Sequence, residues 1–488
     1  MKRTLILSLA AVAALSQAQY SGSLPVPAEF SRGFQSIKIE DAKKWLEFLA
    51  GPECEGRGSG QPGFQKAADF MAERFKEFGL KPAGDNGTFF QNVPMYSGNI
   101  LDGSQLTLGD TTVQIGEKMS IGGVGGDTSL KGDLVIVEAK GADAKVPDGI
   151  SGKIVLALLE GVSRDFRREL ANQASAVIEV TDTISSRRNY SAFGTKPKAQ
   201  IRLSPDIANS FLTKIGFARS TEPGSKATPA QTAEIMVKTE GTMVSVPNVV
   251  AFLPGSDHKL AGEYVGIGAH LDHLGVRKQE GQPDVIYYGA DDDGSGCTAL
   301  LNVARAMTSN KVKPKRTILF MAFCGEERGL VGSRWLADNP MFPIEKMTCE
   351  LQMDMVGRDS DGVQNNDRNR VDVAAENTDT MRLVGSKRIS TDLHNTILDL
   401  NKHVGFKFKY DSEDVYTRSD HYSFAAKGIP IAFLFDGFHP DYHKPTDTVD
   451  KINFEKLTNA ARLFYLVGMN AANRPEMFPR DVKPEQGG

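Results

Sequence analysis

Tyr264-Val265-Gly266-Ile267-Gly268-Ala269 is an apolar run that gives way at once to His270-Leu271-Asp272-His273. A run apolar on both faces reads as a strand buried within a parallel sheet, and in such sheets the functional residues lie beyond the carboxyl ends of the strands. Four further runs after Asn248 read the same way: Val249 to Leu253, Thr317 to Phe323, Glu350 to Met355 and Ile431 to Phe435. Helical stretches fall at about Cys297 to Met307 and Phe454 to Val467. The alternation predicts an α/β fold, with a mixed, mainly parallel sheet sandwiched by helices.

Working outward, apolar residues recur at helical spacing from Ile39 to Leu49 and from about Gly63 to Phe78, with the glycine-rich loop Glu55 to Gly60 between them. From about Asn99 to Met243 short strand-like runs, such as Leu134 to Val137 and Lys153 to Leu158, are broken by Gly, Asp and Pro. This segment is expected to be a smaller β-rich domain inserted into the first. At the start, Lys2 and Arg3 precede an apolar stretch from Leu5 to Leu15 and the small-residue end Ser16-Gln17-Ala18. That is the pattern of a secretory signal cut after Ala18, and it implies a secreted or periplasmic protein. The expected divisions are therefore 1–18 leader, 19–98 first part of the main domain, 99–243 insert, 244–479 second part and 480–488 loose tail.

The 57 Lys and Arg nearly balance 61 Asp and Glu, a formal net charge of −4, which argues against a nucleic-acid partner. No run after the leader approaches the roughly 20 apolar residues of a membrane span. Cys54, Cys297, Cys324 and Cys349 show no Cys-x-x-Cys spacing, so free buried thiols are expected, with one disulfide as the alternative. No motif addresses the oligomeric state.

The residues that carry chemistry lie just past each apolar run. Ile286-Tyr287-Tyr288 leads into Gly289-Ala290-Asp291-Asp292-Asp293, Thr317 to Phe323 into Cys324-Gly325-Glu326-Glu327, the run from Glu350 reaches Asp354, and Ile431 to Phe435 precedes His439-Pro440-Asp441-Tyr442-His443. Asp354 sits in a strongly apolar context, where an unpaired charge costs several kcal/mol unless a cation compensates it. Carboxylates and imidazoles without thiolate suit Zn²⁺. Two imidazoles and three carboxylates exceed what one catalytic zinc needs, whereas two ions sharing one carboxylate use them all.

These motifs resemble family 28 of the metallopeptidases, the co-catalytic zinc exopeptidases. The resemblance rests on Gly268 to Asp272, Gly289 to Gly296, Ala322 to Ser333, Leu351 to Met355, Tyr416 to His421 and Tyr442 to Thr448, in that order. It implies the zinc-exopeptidase fold and two Zn²⁺ ions, one held by His270 and Asp354, the other by Glu327 and His443, with Asp292 bridging. It further implies that Glu326 is the general base, that Asp272 orients His270, and that Tyr416 hydrogen-bonds the developing oxyanion. The implied activity is that of an aminopeptidase attacking peptides with a free N-terminus by a water that the two metals activate. Carboxypeptidase or dipeptidase action, with Arg418 gripping a substrate carboxylate, is the alternative. A binding protein that has lost its metals conflicts with the complete ligand set, and a single-zinc glutaminyl cyclase with the presence of both His270 and Asp354. The insert resembles a protease-associated domain, chiefly over Asp148 to Leu156. His421 and His439 are rival ligands, of which His421 reads as hydrogen-bonded scaffold. His273, His258, His394 and His403 read as ordinary packed or surface histidines.

Overall fold

A computed structural model describes residues 19–185, 188–193, 198–277, 283–364, 367–410 and 415–482. The expected leader 1–18 and the residues 483–488 of the expected tail lie outside the described residues. The chain forms two compact units, one from residues up to Val93 and from Val246 onward, the other from Pro94 to Ser245. The inserted unit thus extends a few residues beyond the expected 99–243 at each end.

In the first unit the sheet strands are β1 (Thr239–Leu253, which enters this unit at Val246), β2 (Tyr264–His270), β3 (Thr317–Phe323), β4 (Met347–Met353), β5 (Thr380–Val384), β6 (Lys407–Lys409) and β7 (Ile431–Phe435). Their order is β6-β5-β7-β4-β2-β3-β1. Strands β7, β4, β2 and β3 run parallel, with Tyr264 opposite Thr317 and His270 opposite Phe323. Strands β1 and β5 are antiparallel to their neighbours β3 and β7. The sheet is therefore mixed and mainly parallel, as the runs predict. Strand β4 begins and ends earlier than the expected Glu350 to Met355, which leaves Asp354 just past its end.

Both faces of the sheet are covered. Alternate residues Leu319, Met321 and Phe323 of β3 pack with Leu336 and Phe424 on one side. On the other, Phe320 meets Phe75 of the helix Pro62–Glu77, ring centroids 6.1 Å apart. The long helix Phe454–Asn473 lies so near the sheet on that side that a Cβ on Gly468 would stand 3.3 Å from Ile267 Cδ1 and 2.6 Å from Met307 Cε. Four parallel strands pinned between helices bring four carboxyl ends to one edge, and that edge carries the ionisable residues.

The inserted unit holds an eight-stranded sheet with the helices Arg164–Gln173 and Pro205–Lys214. Its longest pair, Gly224–Val237 against Thr128–Lys140, is antiparallel, and Thr128–Lys140 pairs parallel with Ile154–Glu160 on its other side. Buried clusters lie on both of its faces, one around Leu156 and Ile178, the other around Val155 and Phe166. Among the described residues all four cysteines are buried and unpaired, and no helix is long and apolar enough to cross a membrane.

Candidate active site

His270 is the last residue of β2, Asp354 comes just after β4, Glu326 and Glu327 lie past the end of β3, and His443 lies on the loop beyond β7. Asp292 comes from the irregular turn Ala290–Ser295 that opens the helix Gly296–Ser309. His270 Nε2 lies 3.1 Å from Asp292 Oδ1 and 3.4 Å from Asp354 Oδ1. His443 Nε2 lies 3.1 Å from Asp292 Oδ2 and 3.2 Å from Glu327 Oε1. The five expected donors therefore converge, and the two oxygens of Asp292 face two different sets. A sixth donor joins them: His273 Nδ1 is 2.9 Å from Glu327 Oε1 and 3.6 Å from Asp292 Oδ2. Reading His273 as an ordinary packed histidine is corrected by this position. No sequence signal marks it, since on an extended strand a residue three past His270 would face the other way.

The neighbours of Asp292 hold the scaffold rather than the site. Asp293 accepts from the backbone N–H groups of His270, Gly296 and Met355, at 3.0, 2.9 and 3.1 Å, tying three converging segments together. Asp291 accepts from Gly357 N–H at 2.8 Å, and Asp447 accepts from the N–H groups of Asp291 and Asp292 at 3.0 and 3.2 Å. The other oxygen of Asp291 faces His439, at 3.3 Å and behind the site, whereas Oδ2 of the middle acid faces His443 and His273.

Asp272 acts differently from the expectation. His270 Nδ1 is 2.9 Å from the backbone carbonyl of Asp272, while its carboxylate stands 4.0 Å away. That carboxylate accepts instead from Glu326 N–H and from Ser59 Oγ, each at 3.0 Å. The imidazole is oriented by a carbonyl, which fixes its tautomer equally well. Ser59 and the fully buried Arg57 come from the glycine-rich loop, and no sequence pattern marks either. Arg57 donates to the carbonyls of Leu271, Leu49, Tyr288 and Gly289 at 2.7 to 2.9 Å.

The electrostatics favour a cation. Among the described residues, Asp292 Oδ2, Glu327 Oε1 and both ring nitrogens of His273 are buried without a hydrogen-bond partner. Such orphans cost about 1–3 kcal/mol each, and divalent ions would occupy them at the shared edge. The groups gathered within 4.8 Å of one another, His270 with Asp292 and Asp354, and His273 with Asp292 and Glu327, make two such places that share Asp292. Burial, reinforced by Glu327 and Asp354, pushes the Glu326 carboxyl well above the usual range. Burial likewise raises Asp272 to about 6. Burial works to lower His443, but its contacts with Asp292 and Glu327 prevail and raise it to about 10.

This last shift predicts a proton inventory. Without metal, His443 is an imidazolium at pH 7, since pH 7 lies below its raised value of about 10. A cation must displace that proton, so binding releases protons and affinity rises with pH up to that value. Calorimetric titration in buffers of different ionisation heat should show release near one proton or more per chain at pH 7. Heats independent of buffer would contradict the arrangement.

An open cleft of about 360 Å³ adjoins the cluster. Its walls include Glu326, His270 and Asp354 together with Met355, Val415, Phe433, Phe435, Phe438, Tyr442 and Arg418. Tyr416, expected at the oxyanion, is not among the residues lining it. Its ring lies under the Arg388 guanidinium, 4.1 Å from ring centroid to Cζ, and against Gly385. The phenol at the cleft is Tyr442, stacked on His443 with centroids 3.9 Å apart. His421 is scaffold, as expected: Nε2 is 2.6 Å from the Tyr416 carbonyl, and burial lowers it to about 3. His439, the other rival ligand, meets Asp291 rather than either donor set.

The profile described as Peptidase family M28 matches residues 248–467. A "Probable leucine aminopeptidase" of Trichophyton verrucosum is 28% identical over 225 residues, covering 44% of this chain and 55% of the relative, so the chain spans about half the length of the curated relatives it matches in this way. The "Probable lipoprotein aminopeptidase LpqL" of Mycobacterium tuberculosis is 24% identical over 482 residues, 92% of this chain and 88% of that protein. Among solved structures, the aminopeptidase from Aneurinibacillus sp. strain AM-1 shares the fold with a TM-score of 0.53 at 22% identity, covering 93% of this chain and 98% of that one. The edge of the sheet that gathers these ionisable side chains thus lies inside the segment, residues 248–467, that is similar to peptidase family M28.

Proposed function

We propose that the chain is an exported aminopeptidase that uses two zinc ions to remove N-terminal residues from peptides. The observation that carries this reading is the pair of donor sets joined at Asp292, with the Glu326 carboxylate and an apolar cleft beside them. The activity named for its relatives, leucine aminopeptidase and lipoprotein aminopeptidase, supports it. The leader read over 1–18 supports export, and the inserted unit is taken as a protease-associated domain on its Asp148 to Leu156 stretch and its β-rich sheet.

When bound, the two ions supply Lewis acidity that acidifies a water and polarises a carbonyl. His270, Asp354, Glu327, His443 and the shared Asp292 would hold them. Glu326 takes the proton of the attacking water and returns it to the leaving amine. A carboxyl held well above its usual range by burial suits that exchange near neutral pH. The Asp272 carboxylate steadies the Glu326 backbone, and its carbonyl fixes His270. Phe433, Phe435, Phe438 and Val415 give the cleft an apolar lining that accepts an apolar side chain.

Arg418 supports the second reading, since its guanidinium also lines the cleft, 5.0 Å over the Phe438 ring. A carboxypeptidase would use it to hold a substrate carboxylate. A panel of free and N-acetylated aminoacyl amides and dipeptides separates the two. An aminopeptidase should cleave leucyl and phenylalanyl amides, lose this on N-acetylation, and stop when a chelator removes the metal. Cleavage of acetylated dipeptides but not of amides would establish the carboxypeptidase reading instead.

A further inference from the structure

His273 is a buried imidazole at the edge whose position neither the scaffold nor the five expected donors explain. It is 2% exposed; among the described residues Nε2 has no hydrogen-bond partner, and Nδ1 meets only the carboxylates of Glu327 and Asp292, without hydrogen-bond geometry to either. An ordinary core histidine satisfies at least one of them, because an orphaned buried nitrogen costs about 1–3 kcal/mol. His439 shares the orphaned state but faces Asp291 behind the site, whereas His273 faces two carboxylates of one donor set. The ring is also held where it is. His273 N–H bonds to the Arg57 carbonyl at 3.1 Å, and Gly289, at φ +60°, leaves space that a Cβ would fill at 2.5 Å from His273 Cγ. The backbone on both sides therefore aims Nδ1 at Glu327 and Asp292.

We infer that His273 Nδ1 is a fourth protein ligand of the second cation, alongside His443 Nε2, Glu327 Oε1 and Asp292 Oδ2. The distances carry this. Donors bound at about 2.0–2.2 Å around one tetrahedral zinc lie roughly 3.3–3.6 Å from each other. The separations His273–Glu327, His273–Asp292, His443–Asp292 and His443–Glu327 are 2.9, 3.6, 3.1 and 3.2 Å, each within about 0.4 Å of that range and three of them slightly short of it. The His273 and His443 rings stand 5.8 Å apart at their centroids, at an angle of 66°.

The consequence is an unequal pair. The first set offers three protein donors, His270, Asp292 and Asp354, and the second offers four. Three protein donors leave a zinc position open, whereas four close a tetrahedral shell. The second cation is gripped by one more protein donor than the first, so for both ions to act on the water its shell must widen to five donors, as a catalytic zinc's does.

This rests on the proposal that two cations bind, and the test keeps the two apart. The full-length protein is freed of metal and titrated with Co²⁺, while hyperfine-shifted exchangeable imidazole N–H protons are counted by NMR. The parent chain should bind two ions and show three such protons. His273→Gln should show two, and its second Co²⁺ should bind more than about 100-fold less tightly, beyond the loss usual for an outer-shell partner. His273→Cys guards against a misfolded variant, because a thiolate on cobalt adds a near-ultraviolet charge-transfer band absent from the parent. Two protons in the parent, together with unchanged second-ion affinity in His273→Gln and no new band in His273→Cys, would overturn the inference while leaving the two-metal reading intact. A parent chain that binds fewer than two ions overturns both.

Discussion

Glu326→Gln should lower kcat by about 10²–10⁴-fold, the usual contribution of a positioned general base, while the chain keeps its full complement of metal. The amide retains the size of the side chain and leaves the backbone N–H bonded to Asp272, so the surrounding geometry has no reason to shift. It removes the one carboxylate that lines the cleft without lying in either donor set. The neighbouring Glu327→Gln makes the contrast, since Glu327 Oε1 approaches both His273 and His443. That variant should lose metal as well as turnover. Metal content by plasma mass spectrometry beside steady-state rates distinguishes them, and full activity in Glu326→Gln would remove the residue from the mechanism.

The largest expected effect on stability is at Arg57, whose guanidinium hydrogen-bonds backbone carbonyls rather than any of the donor side chains. Its guanidinium is completely buried and serves the carbonyls of Leu271, Leu49, Tyr288 and Gly289. Arg57→Met keeps most of the volume but strands those acceptors in the interior, at about 1–3 kcal/mol each before relaxation. Removing the buried charge returns part of this through relieved desolvation, so a net loss of about 4 kcal/mol is the expected outcome. The segments it ties, 271–273 and 288–292, carry His273 and Asp292, so metal affinity should fall together with the denaturant midpoint. A change under about 1 kcal/mol would mean that water replaces the guanidinium.

Legibility differed between backbone and side chain. Runs apolar on both faces located β2, β3 and β7 to within a residue, because burial between two helical layers leaves no room for a polar face. The gathering of His270, Asp292, Glu327, Asp354 and His443 was expected from the resemblance of their motifs to the peptidase family, together with the rule that functional residues lie beyond the carboxyl ends of buried parallel strands. Three details were not. His273 escaped because nothing in a lone histidine tells whether a ring nitrogen will find a hydrogen bond. Asp272 was placed by the rule that residues two apart face alike, yet its carbonyl took the contact, since the chain turns out of the strand at that point. Tyr416 sits in a matching motif, but its ring lies under Arg388 and beside Gly385, neighbours from another stretch of the chain. The Arg57 cradle had no local pattern at all, every acceptor but Leu49 lying more than 200 positions away.

That separation has a temporal side. A chain made from its amino end exposes the Arg57 guanidinium long before Gly289 exists, 232 positions downstream. At synthesis rates of about 5–20 residues per second, the wait is on the order of ten seconds or more. Through that interval the first two helices lack the strands they will cover, while the whole segment from Pro94 to Ser245 has already emerged and has its own core to collapse around. The order of birth is thus the reverse of the order of closure: the interposed module is able to mature first, and the metal-gathering edge is assembled last.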